Sequence, residues 1–268
     1  MKYKLLVVDI DGTLLGRERT ISAENKRALD QARKLGVVVA LSTGRAVLAC
    51  RDILDQLALD GHHIFFDGAL VSNLGEEVYA EPLDMGVVRE AIEFARWLKI
   101  DFELYSTAHY FVERETWSTD VHRKFFGIEP TIVDFTGLWE KERIIKGGLA
   151  SVNPGQVAKA REFYARFEDS LHFSLARSPA FPDVEFANVV AHDVSKGRAL
   201  EALALHLGMP LGEVMAVGDG TNDISLLSRA GLAVAMGNAP DEVKAVADHV
   251  TLDVDQSGLA AAVERFLL

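Results

Sequence analysis

Cysteine is nearly missing from this chain of 268 residues: Cys50 is the single one. One cysteine excludes an internal disulfide and fits a reducing compartment. Positive charge is also in short supply. The 28 Lys and Arg stand against 40 Asp and Glu, a net charge of −12. That excludes a general binder of phosphate backbones, so no nucleic-acid partner is expected. A small phosphorylated substrate remains compatible, because a local site can oppose the global charge. Long apolar runs are absent too. The opening run, residues 5–8, stops at Asp9. It is too short for a signal peptide, and no run approaches the ~20 residues a membrane helix needs. No membrane partner and a cytoplasmic location are therefore expected. There is no Gly-Lys-Ser/Thr phosphate loop and no His-Glu-x-x-His zinc helix. The histidines are read as structural or surface groups, Cys50 as core or a helix face, and Trp97, Trp117 and Trp139 as core packing.

What remains is an ordinary globular composition, 49% hydrophobic and 25% charged, long enough to bury a sizeable core. Residues 4–8, 37–41, 63–66, 214–217 and 232–235 are short apolar runs suited to strands covered on both faces. Helical patterns separate them. Ser22 is a candidate N-cap for a helix with Ala28, Leu29, Ala32 and Leu35 on one face, closed by Gly36. A second helix spans about 46–57. Such alternation predicts a parallel sheet wrapped by helices. The middle third differs. Residues 171–175 and 183–186 alternate apolar and polar, as in an antiparallel sheet with one exposed face, around a helix at about 155–167. The fold class is α/β: a Rossmann-like, three-layer α/β/α core with a parallel sheet, formed by 1–84 and 189–268. An α+β cap, 85–188, is inserted in it through short linkers near 82–86 and 188–193.

Four short motifs fall where strands end or helices begin. Asp9-Ile10-Asp11-Gly12-Thr13 closes the first strand, and residues two apart on a strand point to one side. Asp9 and Asp11 can therefore converge at the carboxyl edge of the sheet, where open α/β sheets bind ligands. Gly12 permits a sharp turn and offers an unobstructed amide. An EF-hand loop fails, with Leu14 and Thr20 where Gly and Glu belong. Ser42-Thr43-Gly44-Arg45 places a hydroxyl and free amides before a helix, which serves an anion or a simple N-cap. Ser195-Lys196-Gly197 puts a lysine at a helix start, against the dipole. Either a bound anion offsets this or the lysine is a solvated surface group. Gly218-Asp219-Gly220-Thr221-Asn222-Asp223 only partly matches a dinucleotide fingerprint, since Asp223 stands in place of the third glycine. Its two carboxylates suit a hard cation such as Mg²⁺. Carboxylates, a hydroxyl, a lysine and a metal pair are the parts of phosphoryl transfer.

In this order the four motifs resemble those of the haloacid dehalogenase-like superfamily. The insert is similar to the large α+β cap of its Cof-type sugar-phosphatase branch, and the turn Ala235-Met236-Gly237-Asn238-Ala239 also fits. The resemblance implies a phosphatase using Mg²⁺ and an aspartyl-phosphate, with a small phosphorylated metabolite as partner. Asp9 would be the nucleophile and Asp11 the acid and base. Gly12, Thr43, Gly44, Lys196 and Asn222 would hold the phosphoryl group. Asp9, the Asp11 carbonyl, Asp219 and Asp223 would hold the metal. One departure is Asp67-Gly68-Ala69, where the family pattern has Asn. A phosphomutase with the same nucleophile, or a non-catalytic Rossmann-like nucleotide- or metabolite-binding protein, are the alternatives. A monomer suffices, since the cap already shields the site.

Overall fold

The computed structural model describes residues 2–73, 75–178 and 181–268. Among the described residues, fourteen strands form two sheets. In chain order they are β1 (Leu5–Asp9), β2 (Val38–Ser42), β3 (His63–Phe65), β4 (Leu70–Ser72), β5 (Glu77–Ala80), β6 (Phe102–Tyr105), β7 (Tyr110–Val112), β8 (Thr131–Ile132), β9 (Lys146–Ser151), β10 (Leu171–Ser178), β11 (Phe181–Ala191), β12 (Val214–Gly218), β13 (Leu232–Ala235) and β14 (His249–Val250).

The larger sheet runs β14-β13-β12-β1-β2-β3-β4-β5. Its first six strands are parallel. Two more strands extend the expected parallel sheet as a meander: β4 is antiparallel to β3, and β5 is antiparallel to β4. These two are joined by short turns, which only antiparallel neighbours can use. β1 shows why the middle of the sheet is apolar on both sides. Leu6 and Val8 join one core with Ala28, Leu29, Leu259 and Val263. Leu5 and Val7 join another with Ala199, Leu200 and Leu203. Helices Ala23–Lys34 and Gly258–Phe266 thus cover one face, and Lys196–His206 the other. Ser22 caps the first helix by accepting from the Asn25 amide at 3.1 Å.

The second sheet runs β10-β11-β9-β6-β7-β8. It is antiparallel except for β7 beside β8. Helices Met85–Leu98 and Pro154–Phe167 lie on one face. Phe102, Leu104, Leu149, Ala187 and Val189 from the sheet meet Ile92, Ala95 and Phe163 from the helices in one core. The alternate residues of the same strands, Glu103, Tyr105, Lys146 and Asn188, look the other way, towards the carboxyl edge of the larger sheet. β11 runs on to Ala191, through residue 188, where the sequence places the end of the cap. Trp97 corrects the expected core packing. It is 68% exposed and stacks on Phe94, rather than filling a core. His63 and Cys50 are buried; His63 Nδ1 accepts from the Leu41 amide. Among the described residues, no helix is long and apolar enough to cross a membrane.

Candidate active site

Asp9 is the last residue of β1 and is buried. The chain then folds back, with the Leu14 and Leu15 amides donating to the Ile10 carbonyl. Gly12 adopts φ +93°, and a Cβ on it would lie 2.1 Å from Asp219 Oδ2. Glycine is therefore required both for the turn and for the approach of Asp219. The free amide expected at Gly12 is not there: it donates to the Leu15 carbonyl at 2.9 Å.

Lys196 opens its helix and is 1% exposed. It is not a solvated surface lysine. Its Nζ donates to Asp9 Oδ1 at 2.7 Å and to Asp223 Oδ1 at 2.6 Å. The anions offsetting the helix dipole are these two carboxylates. Burial opposes the ammonium, but Asp223 and Asp9 outweigh it and raise its pKa. Asp223 Oδ2 accepts from the amides of Asp219 and Gly220 at 3.0 and 2.9 Å. Asp219 accepts from Thr13 Oγ1 at 2.8 Å and from Asn238 Nδ2 at 3.1 Å.

Asp9, Asp219 and Asp223 each present an oxygen, all within 4.8 Å of one another. Burial first, and then Asp223 and Asp219, raise the Asp9 carboxyl well above the ordinary range despite Lys196. Burial and Asp223 push Asp219 up to about 7. Three hard oxygen donors that resist sharing a space as anions fit a divalent cation, whose charge would favour their ionised forms. The Asp11 side chain stands outside this cluster. Arg45 Nε and Nη2 donate to its two oxygens at 2.7 and 2.5 Å. Burial pushes its pKa up, but this planar fork more than reverses that and holds it low.

Thr43 is buried beyond β2, and its Oγ1 accepts from the Arg45 amide at 3.1 Å. Its own hydroxyl proton is left to donate. Gly44 is crowded: a Cβ would meet Asn188 Nδ2 at 2.6 Å. Asp67, the departure from the family pattern, lies in the left-handed region at φ 57° and is buried. Its Oδ2 accepts from Ser174 Oγ and Asn188 Nδ2, each at 2.5 Å. Its Oδ1 accepts from Asn222 Nδ2 at 2.8 Å. Burial raises its pKa, but Lys196 and these donors win and lower it. Asp67 thus ties β10 and β11 to the loop that carries Asn222.

All of this surrounds a chamber of about 1240 Å³ between the two sheets. Asp9, Asp11, Thr43, Gly44, Asp219 and Asn222 line one wall, and Glu103, Tyr105, Lys146 and Asn188 line the other. The four motifs, scattered between residues 9 and 223, do converge. Sequence reasoning missed the Arg45 fork, the Asp67 junction and Lys146. The only local signal for Lys146 is a lone charge within Ile144-Ile145-Lys146-Gly147-Gly148-Leu149.

A family model of haloacid dehalogenase-like hydrolases matches residues 6–263. Phosphatase YwpJ of Bacillus subtilis is 31% identical, over 98% of this chain and 100% of its own length. The 5-amino-6-(5-phospho-D-ribitylamino)uracil phosphatase YcsE of the same organism is 29% identical, over 99% and 96%. Among solved structures, the HAD subclass IIB sugar phosphatase BT4131 superposes with a TM-score of 0.83 at 26% identity, covering 98% of each chain. With a family model spanning nearly all of its length and its motifs gathered at one sheet edge, this chain belongs to the haloacid dehalogenase-like hydrolases.

Proposed function

We propose that the protein is a Mg²⁺-dependent phosphatase that hydrolyses a small phosphate monoester, a sugar phosphate or related metabolite, through an aspartyl-phosphate on Asp9. The observation that carries this reading is the placement of Asp9. It sits at the sheet edge with Oδ1 held by Lys196 at 2.7 Å, while Oδ2 has no hydrogen-bond partner among the described residues. A carboxylate oriented by one oxygen and free at the other is prepared for attack. The names of the relatives, phosphatases and a sugar phosphatase, agree with it.

In this mechanism Asp9 Oδ2 forms a bond to phosphorus as the bond to the ester oxygen breaks. Asp11 gives a proton to that leaving oxygen. It then takes one from water, which attacks phosphorus and returns Asp9 as a carboxylate. Asp11 paired with Arg45 is an anion and suits the second step; it donates only once the Arg45 fork has loosened. Thr43 Oγ1 and Lys196 Nζ donate to the phosphoryl oxygens, and Asn222 borders them. Gly44 keeps that side free of a side chain, and Gly12 lets Asp219 come close. Mg²⁺ held by Asp9, Asp219, Asp223 and the Asp11 carbonyl would supply the positive charge that lets an anionic nucleophile meet an anionic ester.

The chain divides in this reading into a catalytic core, 1–84 and 189–268, and a cap, 85–188. The Asp67 junction keeps the cap shut over the chamber, excluding water while Asp9 is phosphorylated. The reading is tested by a phosphate-release screen over sugar phosphates, polyol phosphates and nucleotides with Mg²⁺. Release of inorganic phosphate is expected. A phosphoryl group moved within the substrate with no release would make the protein a mutase, and binding without turnover would make it a non-catalytic module.

A further inference from the structure

Lys196 opens the helix Lys196–His206 at the active site, and His206 closes the same helix, ~15 Å away by helical rise. At that far end His206 packs on His62, which directly precedes β3. The two imidazoles stand edge to face with ring centroids 4.4 Å apart. Glu76, directly before β5, turns its carboxylate to the same ring, with Oε2 3.7 Å from His62 Nε2. Three segments distant in sequence thus bring two imidazoles and a carboxylate to one place. None of the three takes part in the chemistry proposed above.

His62 Nε2 is the informative atom. It is shut off from solvent and has no hydrogen-bond partner among the described residues. A buried ring nitrogen left so is costly. The Glu76 oxygen is too far for a hydrogen bond, yet the gap suits two ligands of one ion. Zinc bonds to imidazole and carboxylate, about 2.0–2.2 Å each, span such a gap when they meet at roughly 120°, near the tetrahedral angle. Burial and the neighbouring His206 hold the His62 pKa below its ordinary value, which favours the neutral ring that ligates.

The surroundings suit a cation. The Glu76 side chain is 66% exposed, which leaves a path from solvent. The carbonyl end of a helix favours positive charge. Among the described residues only Asp9, Asp219 and Asp223 already hold three ligand atoms within 4.8 Å of one another. The second set is completed by His206, which is exposed and brings a ring nitrogen to the gap by rotation about its side-chain bonds. The two sets also differ in kind. Three carboxylates suit Mg²⁺, whereas imidazoles with a carboxylate suit zinc and similar transition ions.

We propose that His62, His206 and Glu76 form a second metal site, for Zn²⁺ or a similar first-row transition ion. The bound ion staples the end of the helix that carries Lys196 to the segments leading into β3 and β5. The site is independent of the phosphatase reading and stands or falls without it.

The test is calorimetric titration of the whole protein with Zn²⁺, in a large excess of Mg²⁺ that holds the acidic cluster. The wild type takes up Zn²⁺ under these conditions, and Zn²⁺ raises its Tm. His62→Gln and His206→Gln each weaken the binding by at least about tenfold, the lower bound for disturbing even the outer shell of a metal site. Both lose the rise in Tm. Asp219→Asn, which damages the acidic cluster, keeps both the binding and the rise. Glu76→Gln, a change at an exposed position, weakens the binding without altering the Tm of the metal-free protein. It decides the case if a histidine variant fails to fold. No uptake of Zn²⁺ by the wild type would overturn the proposal. So would an affinity unchanged in the histidine variants or in Glu76→Gln, or one lost in Asp219→Asn.

Discussion

The two walls of the chamber handle buried charge in different ways. On the core wall each buried cation has a carboxylate in contact: Lys196 lies between Asp9 and Asp223, and Arg45 grips Asp11. On the wall built by the second sheet, Lys146 meets a carbonyl and an aromatic ring. A wall whose charges are already matched is rigid before substrate arrives, which is what stabilising a transition state requires. In the phosphatase reading proposed above, the chemistry belongs to the strand ends of the core wall.

Removing a group from the core wall has the largest expected effect. Asp9→Asn deletes the nucleophile, and no phosphate release and no phosphorylated protein are expected with any ester. Residual turnover of aryl phosphates would break the assignment. Stripping the metal comes next. Chelator should abolish turnover and Mg²⁺ restore it, with Ca²⁺ a poor replacement because it accepts looser, higher coordination. The acidic cluster also sets a pH dependence. Asp219, at about 7 in the folded chain, is raised above its unfolded value. Without metal it destabilises the fold as pH climbs from the unfolded carboxylate range through 7. The rise in Tm on adding Mg²⁺ should therefore be larger at pH 8 than at pH 6; an equal rise at both would show that the cluster is not the binding site.

How much of this contrast the chain displays locally follows from the same geometry. The core wall was legible because its groups sit within a few residues of an apolar run or a helix start. Asp9 follows Val8, and Gly218-Asp219 closes Val214-Met215-Ala216-Val217. The pairing of Arg45 with Asp11 was not, since a motif places backbones and leaves the direction of a long side chain open. Lys146 was not legible because its burial depends on which face of β9 turns inward and on a carbonyl 102 residues away. The role of Asp67 was hidden likewise. Its presence was visible as a departure, but its partners Ser174 and Asn188 belong to the other sheet. β4 and β5 escaped because three- and four-residue strands carry too little periodicity to read.

A smaller effect is expected where the two walls join. In Asp67→Asn the amide turns a donor towards the Ser174 hydroxyl, the Asn188 amide or the Asn222 amide, all of which already donate. Loss of one such hydrogen bond should raise KM about tenfold and lower Tm, while kcat for p-nitrophenyl phosphate changes little. A collapse of kcat instead would place Asp67 in the chemistry and not in the closure of the cap.

The account turns on the division of labour between two carboxylates two residues apart, Asp9 as nucleophile and Asp11 as acid and base. Asp11→Asn separates them in one experiment. Proton transfer is worth about 10²–10⁴-fold, so turnover of alkyl phosphates should fall by that order. p-Nitrophenol needs no proton to leave, and the second step would lack its base. Mixing Asp11→Asn with p-nitrophenyl phosphate should give a burst of p-nitrophenol equal to the enzyme present, with mass spectrometry locating the trapped phosphate on Asp9. No burst, or a phosphate found elsewhere in the chain, would contradict the mechanism.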